Sequence, residues 1–149
     1  MKVLLAIDGS EFSEAASRML AAQLSAQKIE VLVLQAVEPL VFSNPPQMAT
    51  GYAPEMGVRL QELIKQAKDT TERAAQVLRA AGFKVNVRVV ENEIRTAILD
   101  VAAEWRADLI VLGSHGKKGL RKFLLGSVAE YVARHAACSV LIVRTPVDR

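Results

Sequence analysis

One cysteine, Cys138, stands in the chain, so an intrachain disulfide is excluded and the composition suits a reducing compartment. Aromatic residues are scarce, at 5% against 51% hydrophobic residues overall, so the core has to be built from Ala, Val, Leu and Ile. No apolar run approaches the roughly 18 residues of a membrane span. The opening MKVLLAIDGSE carries one lysine and a five-residue apolar run, too short for a secretory signal. Histidine is limited to His115 and His135, and no Cys, His or carboxylate set has metal-ligand spacing, which disfavours a metal centre. Charge of one sign is not in strong excess. The net +3 is mild and not gathered in a tail, so composition does not argue for nucleic acid. At 149 residues the expectation is one soluble, cytoplasmic domain, residues 1–149, large enough for a core of its own.

What is present is alternation. Residues 3–7 are a continuous apolar run, a strand covered on both faces, and Asp8-Gly9-Ser10 turns the chain. Ser10 suits a helix N-cap, and Ala15, Ala16, Met19, Leu20 and Leu24 line one face of a helix to about Ala26. Residues 29–37 form a second buried strand. Residues 38–57, with four prolines, two glycines and no period, read as a long, mobile loop, with a lid function resting only on its position after Val37. Helical spacing returns over 58–81, on Leu60, Leu63, Ile64, Ala67, Ala74, Val77, Leu78 and Ala81, and Gly82 is the stop. Residues 83–90 alternate as a strand with a more polar face, nearer an edge. Ile94, Ala97, Ile98, Val101 and Ala102 mark a helix ending near Trp105; a strand over 108–112, a helix over 127–135 and the strand Ser139–Val143 follow. The order βαβαβαβαβ predicts a doubly wound, Rossmann-like parallel sheet of five strands with helices on both faces. Ligands of such sheets sit beyond the strand carboxyl ends at a topological switch point, which puts Asp8-Gly9, Val37 and residues 113–116 on one rim.

Between the fourth strand and the last helix lies GSHGKKGLRKFLLGS, about a dozen residues where such connections usually take roughly 2–6. Its glycines would let backbone approach a ligand closely and take positive φ. Ser127-x-x-Glu130 reads as a capping box, and the first amides of that helix suit an anion such as phosphate. The stretch matches neither GxxxxGK[ST] nor GxGxxG. Lys117, Lys118, Arg121 and Lys122 are either a solvated loop face or a phosphate screen. His135 near a helix end reads as structural, and Cys138 before an apolar strand as a small core residue.

The stretch does match G-x2-G-x9-G-[ST] in full, on Gly113, Gly116, Gly126 and Ser127. That pattern resembles the nucleotide-binding signature of the universal stress protein family, in its UspA-like, ATP-binding subgroup. The likeness runs the whole chain: Asp8-Gly9-Ser10-Glu11 after the first strand, Ala107-Asp108-Leu109-Ile110-Val111 before the loop, Leu125-Gly126-Ser127-Val128-Ala129-Glu130 after it, and the closing Cys138-Ser139-Val140-Leu141-Ile142-Val143. The resemblance implies a fold like that of the adenine nucleotide α-hydrolases and an ATP cofactor, with Mg2+ optional. It implies that Ala6 and Ile7 border the nucleotide and that Asp8 holds or adjoins the ribose. Val37 would meet adenine through its backbone, and Leu112 and Gly113 would border adenine and ribose. Ser114, His115 and Gly116 would wrap the phosphates, with Gly126, Ser127 and Val128 donating to them. It also implies a homodimer through Ser139–Val143, whose apolar edge invites pairing. Two places depart from the pattern. Glu91-Asn92-Glu93-Ile94 replaces a Gly/Pro-bearing turn and brings negative charge that could face a phosphate, and Ser139 stands for a proline.

The main expectation is an adenine-nucleotide-binding stress or signalling module working by ligand-dependent association. The alternatives are a slow ATP hydrolase and a non-binding dimeric interaction module. An SGGxDS-type loop is absent after the first strand, and no Asp follows Val90 as a phosphoacceptor, so hydrolase-type and receiver-type sites are disfavoured.

Overall fold

Successive side chains of a strand look to opposite sides of the sheet, and that period of two sorts the core into two layers. The computed structural model describes residues 1–39, 49–117 and 124–145 (of 49–54, the backbone alone). The elements are β1 (Lys2–Ala6), α1 (Glu11–Gln23), β2 (Glu30–Val37), α2 (Ala49–Ala80), β3 (Lys84–Glu91), α3 (Ile94–Trp105), β4 (Leu109–Gly113), α4 (Ser127–His135) and β5 (Ser139–Val143). The strands form one parallel sheet in the order β3-β2-β1-β4-β5.

From β1, Val3 and Leu5 face a layer with Ala16 and Leu20 of α1 and Ala75 and Leu78 of α2. Leu4 and Ala6 face the opposite layer with Ile98 and Val101 of α3 and Ala129 and Val132 of α4. The chain moves outward from β1 through β2 to β3, then returns across β1 to β4 and β5. With right-handed crossovers, reversing direction moves the helices to the other face. The reversal lies between β1 and β4, so these neighbours send their following loops apart and leave a crevice at their carboxyl ends. β3 is an edge strand, as its polar alternation indicates.

Three expectations change. The second helix begins at Ala49, so residues 49–57, read as loop, are helical; the remainder of that reading at 40–48 lies outside the described residues. The buried face of α1 is Phe12, Ser13, Ala16, Ser17 and Leu20, with the two serines small enough to seat the helix on the sheet and each hydroxyl donating to a carbonyl of the preceding turn. On α2 the fully buried positions include Thr71 and Ala75, whereas Val77 is half exposed; Thr71 Oγ1 donates to the Ala67 and Lys68 carbonyls. Apolar counting misses such residues because a small hydroxyl bonded to its own helix buries at little cost. At Gly82 the expected stop is present: φ is +93°, the Gly82 amide donates to Arg79 O and the Phe83 amide to Leu78 O, closing a Schellman end.

Candidate functional site

Asp8, the turn after β1 and the segment after β4 meet at the switch point. Ala6, Ile7 and Leu112 are buried there as its apolar floor. Asp8 Oδ1 accepts from the Ser10 amide at 2.9 Å, and Ser10 Oγ then caps α1 by accepting from the Ser13 amide at 3.2 Å. Asp8 Oδ2 accepts from the Lys117 amide at 2.8 Å. One carboxylate thus joins the first strand to the glycine segment.

The signature glycines are there for close approach. A Cβ on Gly113 would lie 2.7 Å from the Phe12 carbonyl carbon and side chain, one on Gly116 2.8 Å from Asp8 Oδ2, and one on Gly126 2.8 Å from the Ser114 carbonyl oxygen. The expected positive φ is not found at these three; among the described residues the glycines with positive φ are Gly9 and Gly82. The reason is that the segment folds onto protein at van der Waals distance, a constraint on side-chain volume rather than on backbone angle.

Ser114 ties this segment together. It is buried, its amide donates to Val143 O at the end of β5, and its carbonyl accepts from the Gly126 amide, both at 2.8 Å. His115 spans the two ends of the loop. Its Nε2 meets the Leu124 carbonyl at 2.6 Å and therefore carries the proton, which leaves Nδ1 to accept from Ser114 Oγ at 3.1 Å. Its ring packs on Phe12 with centroids 5.2 Å apart.

The capping box at Ser127 is corrected. The N-cap is Gly126, with no side-chain bond, and Ser127 is the first helical residue. The Ser114 carbonyl draws the Gly126 amide inward and sets the helix start one residue earlier. The Ser127 and Val128 amides stand in the uncapped first turn, at the positive end of the α4 dipole. The Gly126 amide, given to phosphate by the resemblance, is the one engaged by Ser114.

Val37 is buried on the same rim, but its carbonyl accepts from the Asn92 amide at 3.1 Å, toward β3. Strand alternation turns the backbone of Ala36 the other way, to the side where Ile7 N donates to Leu34 O. By that alternation the Ala36 backbone belongs to the β1 side of β2, beyond the point where β1 turns off at Asp8. Phe12, Ala36 and Leu124 were not singled out in the sequence; each acts through backbone or through shape, and residue type carries no sign of it.

Glu91 to Ile94 also behaves differently from the expectation of a charge facing phosphate. The Glu93 carboxylate caps α3, accepting from Thr96 N and Oγ1 at 2.8 Å, and pairs with Arg95 at 2.7 Å. Hydrogen bonds from Arg95 and Thr96 hold its carboxyl down to about 2. His135 has a structural part: Nδ1 donates to Tyr131 O at 2.8 Å and the two rings stack. Cys138 packs against the core layer of α3 and α4, and burial together with nearby Asp108 pushes its thiol up.

The site fits an adenine nucleotide in its parts: an apolar floor, a backbone carbonyl beside it, a segment where side chains are excluded, and an uncapped helix start. Of the basic cluster, Lys117 is described, and its side chain lies across Gly9, where an added Cβ would stand 3.5 Å from Cε and Nζ. The readings for Lys118, Gly119, Arg121 and Lys122 lie outside the described residues.

Comparison with known proteins bears on the family and the fold. The family model for the universal stress protein family matches residues 1–144. Universal stress protein Sll1388 of Synechocystis sp. is 32% identical over 149 residues, covering 96% of this chain and 97% of its own. Among solved structures, the hypothetical protein MJ0577 of Methanocaldococcus jannaschii superposes with a TM-score of 0.83 at 28% identity, over 97% of this chain and 96% of its own. A universal stress protein in complex with cAMP superposes at 0.63 with 28% identity, over 98% of each chain. The chain belongs to the universal stress protein family.

Proposed function

We propose that this protein binds an adenine nucleotide, ATP in the first instance, across the β1/β4 switch point and acts as a stress-response regulatory module through ligand-dependent association. The observation that carries the reading is the glycine segment, closed onto itself by Ser114 and His115 and delivering the chain to the uncapped start of α4. In this reading Ala6, Ile7 and Leu112 border the base, and the main chain of Ala36, rather than that of Val37, meets its edge. Gly113 adjoins the ribose. Ser114, His115 and Gly116 form the wall beside the phosphates, and the Ser127 and Val128 amides donate to them. A bound nucleotide brings anionic charge, which Lys117 and any accompanying Mg2+ offset. The cAMP complex of a relative supports an adenine ligand on this fold.

The partner is a second copy, paired through β5, in the cytoplasm. β5 is an outer strand of five residues, SVLIV, without Pro or charge to protect its free side. Binding is preferred to turnover because both oxygens of Asp8, the carboxylate beside the loop, already accept amides.

The test is the nucleotide content of freshly purified protein, released by denaturation and chromatographed, followed by calorimetric titration with ATP, AMP and cAMP. Bound or titratable adenine nucleotide is the expected result. ADP accumulating from added ATP moves the reading to a slow hydrolase. Protein that is empty and titrates with none of the three overturns it in favour of a dimeric interaction module.

A further inference from the structure

Asp8 is the one side chain that joins the end of β1 to the glycine segment by hydrogen bond among the described residues. Its bond to the Ser10 amide is local and orients the carboxylate. Its bond to the Lys117 amide spans 109 positions of sequence. Beside the same oxygen Gly116 leaves no room for a side chain, since a Cβ there would stand 2.8 Å from Oδ2. Two main-chain donors meet two anionic acceptors. Charge-assisted bonds of this kind are stronger than neutral ones. Each oxygen keeps a second lone-pair site, but rotating the carboxylate out of this pose toward a ribose hydroxyl would break at least one of the two bonds.

We propose that Asp8 is a positioning residue, a latch that holds residues 116–117 against the end of β1 before any ligand arrives, and not the ribose acceptor that the resemblance implies. The proposal deepens the nucleotide reading and rests on it for the choice of ligands, while the latch itself is made only of this chain's own groups. The need for a carboxylate follows from the geometry. Asparagine offers one acceptor oxygen and would set an NH2 group against the second amide, donor facing donor. The Lys117 side chain that follows the latched amide lies across Gly9.

Two measurements test this on Asp8→Asn and on Gly116→Ala, which keeps the carboxylate but crowds Oδ2. The first is native-state hydrogen exchange of the Lys117 amide without nucleotide, with circular dichroism to confirm folding. The second is titration with ATP and with 2′,3′-dideoxy-ATP, which lacks the ribose hydroxyls. Both variants are expected to speed Lys117 exchange by about tenfold or more, the scale of one hydrogen bond to a charged group. Both should weaken the two nucleotides by the same factor, because the loss falls on the phosphate segment. The proposal is overturned if Asp8→Asn weakens ATP and leaves the dideoxy compound unchanged, or if wild-type Lys117 exchanges at the unprotected rate. Should wild type bind neither compound, the nucleotide reading fails, and exchange decides the latch alone: protection lost in Asp8→Asn supports it, protection retained overturns it.

Discussion

At the residue scale, glycines of this chain answer to opposite constraints. Gly113 has Phe12 backbone and side-chain atoms within 2.8 Å of where a Cβ would be, and none of them belongs to a flexible tip. Gly113→Ala must move the start of α1 off β4, and overpacking of this kind costs about 1–3 kcal/mol. Gly57, in α2, has nothing within 4 Å. Gly57→Ala should stabilise by about 0.5–1 kcal/mol through helix propensity. Urea unfolding without nucleotide reads both; a Gly113→Ala protein as stable as wild type would remove the packing account of the signature. Glu93 supplies a second test. Its carboxyl is held at about 2 against an ordinary 4.5, so its contribution is present above about 4.5 and is lost as the pH falls toward 2. Its side chain is 40% exposed, so solvent screens the Arg95 pair and the cap provides most of the effect. Glu93→Ala should cost about 0.5–1 kcal/mol at pH 7. Thermal melts of the two proteins should converge toward pH 2, and a gap independent of pH would show that the carboxylate is not the stabilising group.

At the scale of elements, the proposed anion site at the start of α4 can be probed without disturbing the helix. Ser127 is the first helical residue, a position proline tolerates because its N–H has no intrahelical partner. Gly126 precedes it at φ −64°, ψ 149°, the extended backbone that a residue before proline requires. Ser127→Pro, read against Ser127→Ala, which removes the hydroxyl alone, therefore isolates the loss of one main-chain donor. ATP affinity is expected to fall roughly tenfold, the scale of a hydrogen bond to a charged group, with the melting temperature within a few degrees of wild type. Unchanged affinity would take the first-turn amides out of the site. The same element shows how far the sequence could be read. The extent of α4 from Ser127 to His135 was legible, but its cap was not. A Ser-x-x-Glu pattern looks the same whether Ser is the cap or the residue after it, and a long-range bond from Gly126 to Ser114 decides. The start of α2 was hidden for a related reason: Gly51, Pro54 and Gly57 are poor helix formers, yet the helix runs through them from Ala49.

At the scale of the molecule, the unpaired flank of β5 and the glycine segment are physically connected, since the Ser114 amide donates to the carbonyl of Val143, the last residue of the edge strand. A partner strand docked on β5 and a ligand on the loop would therefore press on the same hydrogen bond. Leu141 is 36% exposed on that strand. Leu141→Lys sets a charge on an edge that natural sheets protect in this way. Sedimentation should show a wild-type dimer and a variant whose dissociation constant is at least about tenfold higher, each 1.4 kcal/mol of lost contact being a factor of ten. A monomeric wild type would end the β5 reading.

The parallel α/β architecture and the long glycine loop are periodic or local properties, and so the amino-acid sequence alone was sufficient for them. The βαβ succession fixes a parallel sheet with right-handed crossovers, whereas the order β3-β2-β1-β4-β5 and the split of Val3 and Leu5 from Leu4 and Ala6 between layers belong to the tertiary structure. The spacing of Gly113, Gly116, Gly126 and Ser127 marks the candidate site in the sequence itself. Tertiary structure alone decided what each group does there. Gly126 donates to Ser114, Val37 accepts from Asn92 and Asp8 accepts from Lys117 because those groups arrive within about 3 Å of one another. Those partners lie far apart in sequence, and main-chain amides and carbonyls are the same in every residue type, so composition and spacing leave no trace of them.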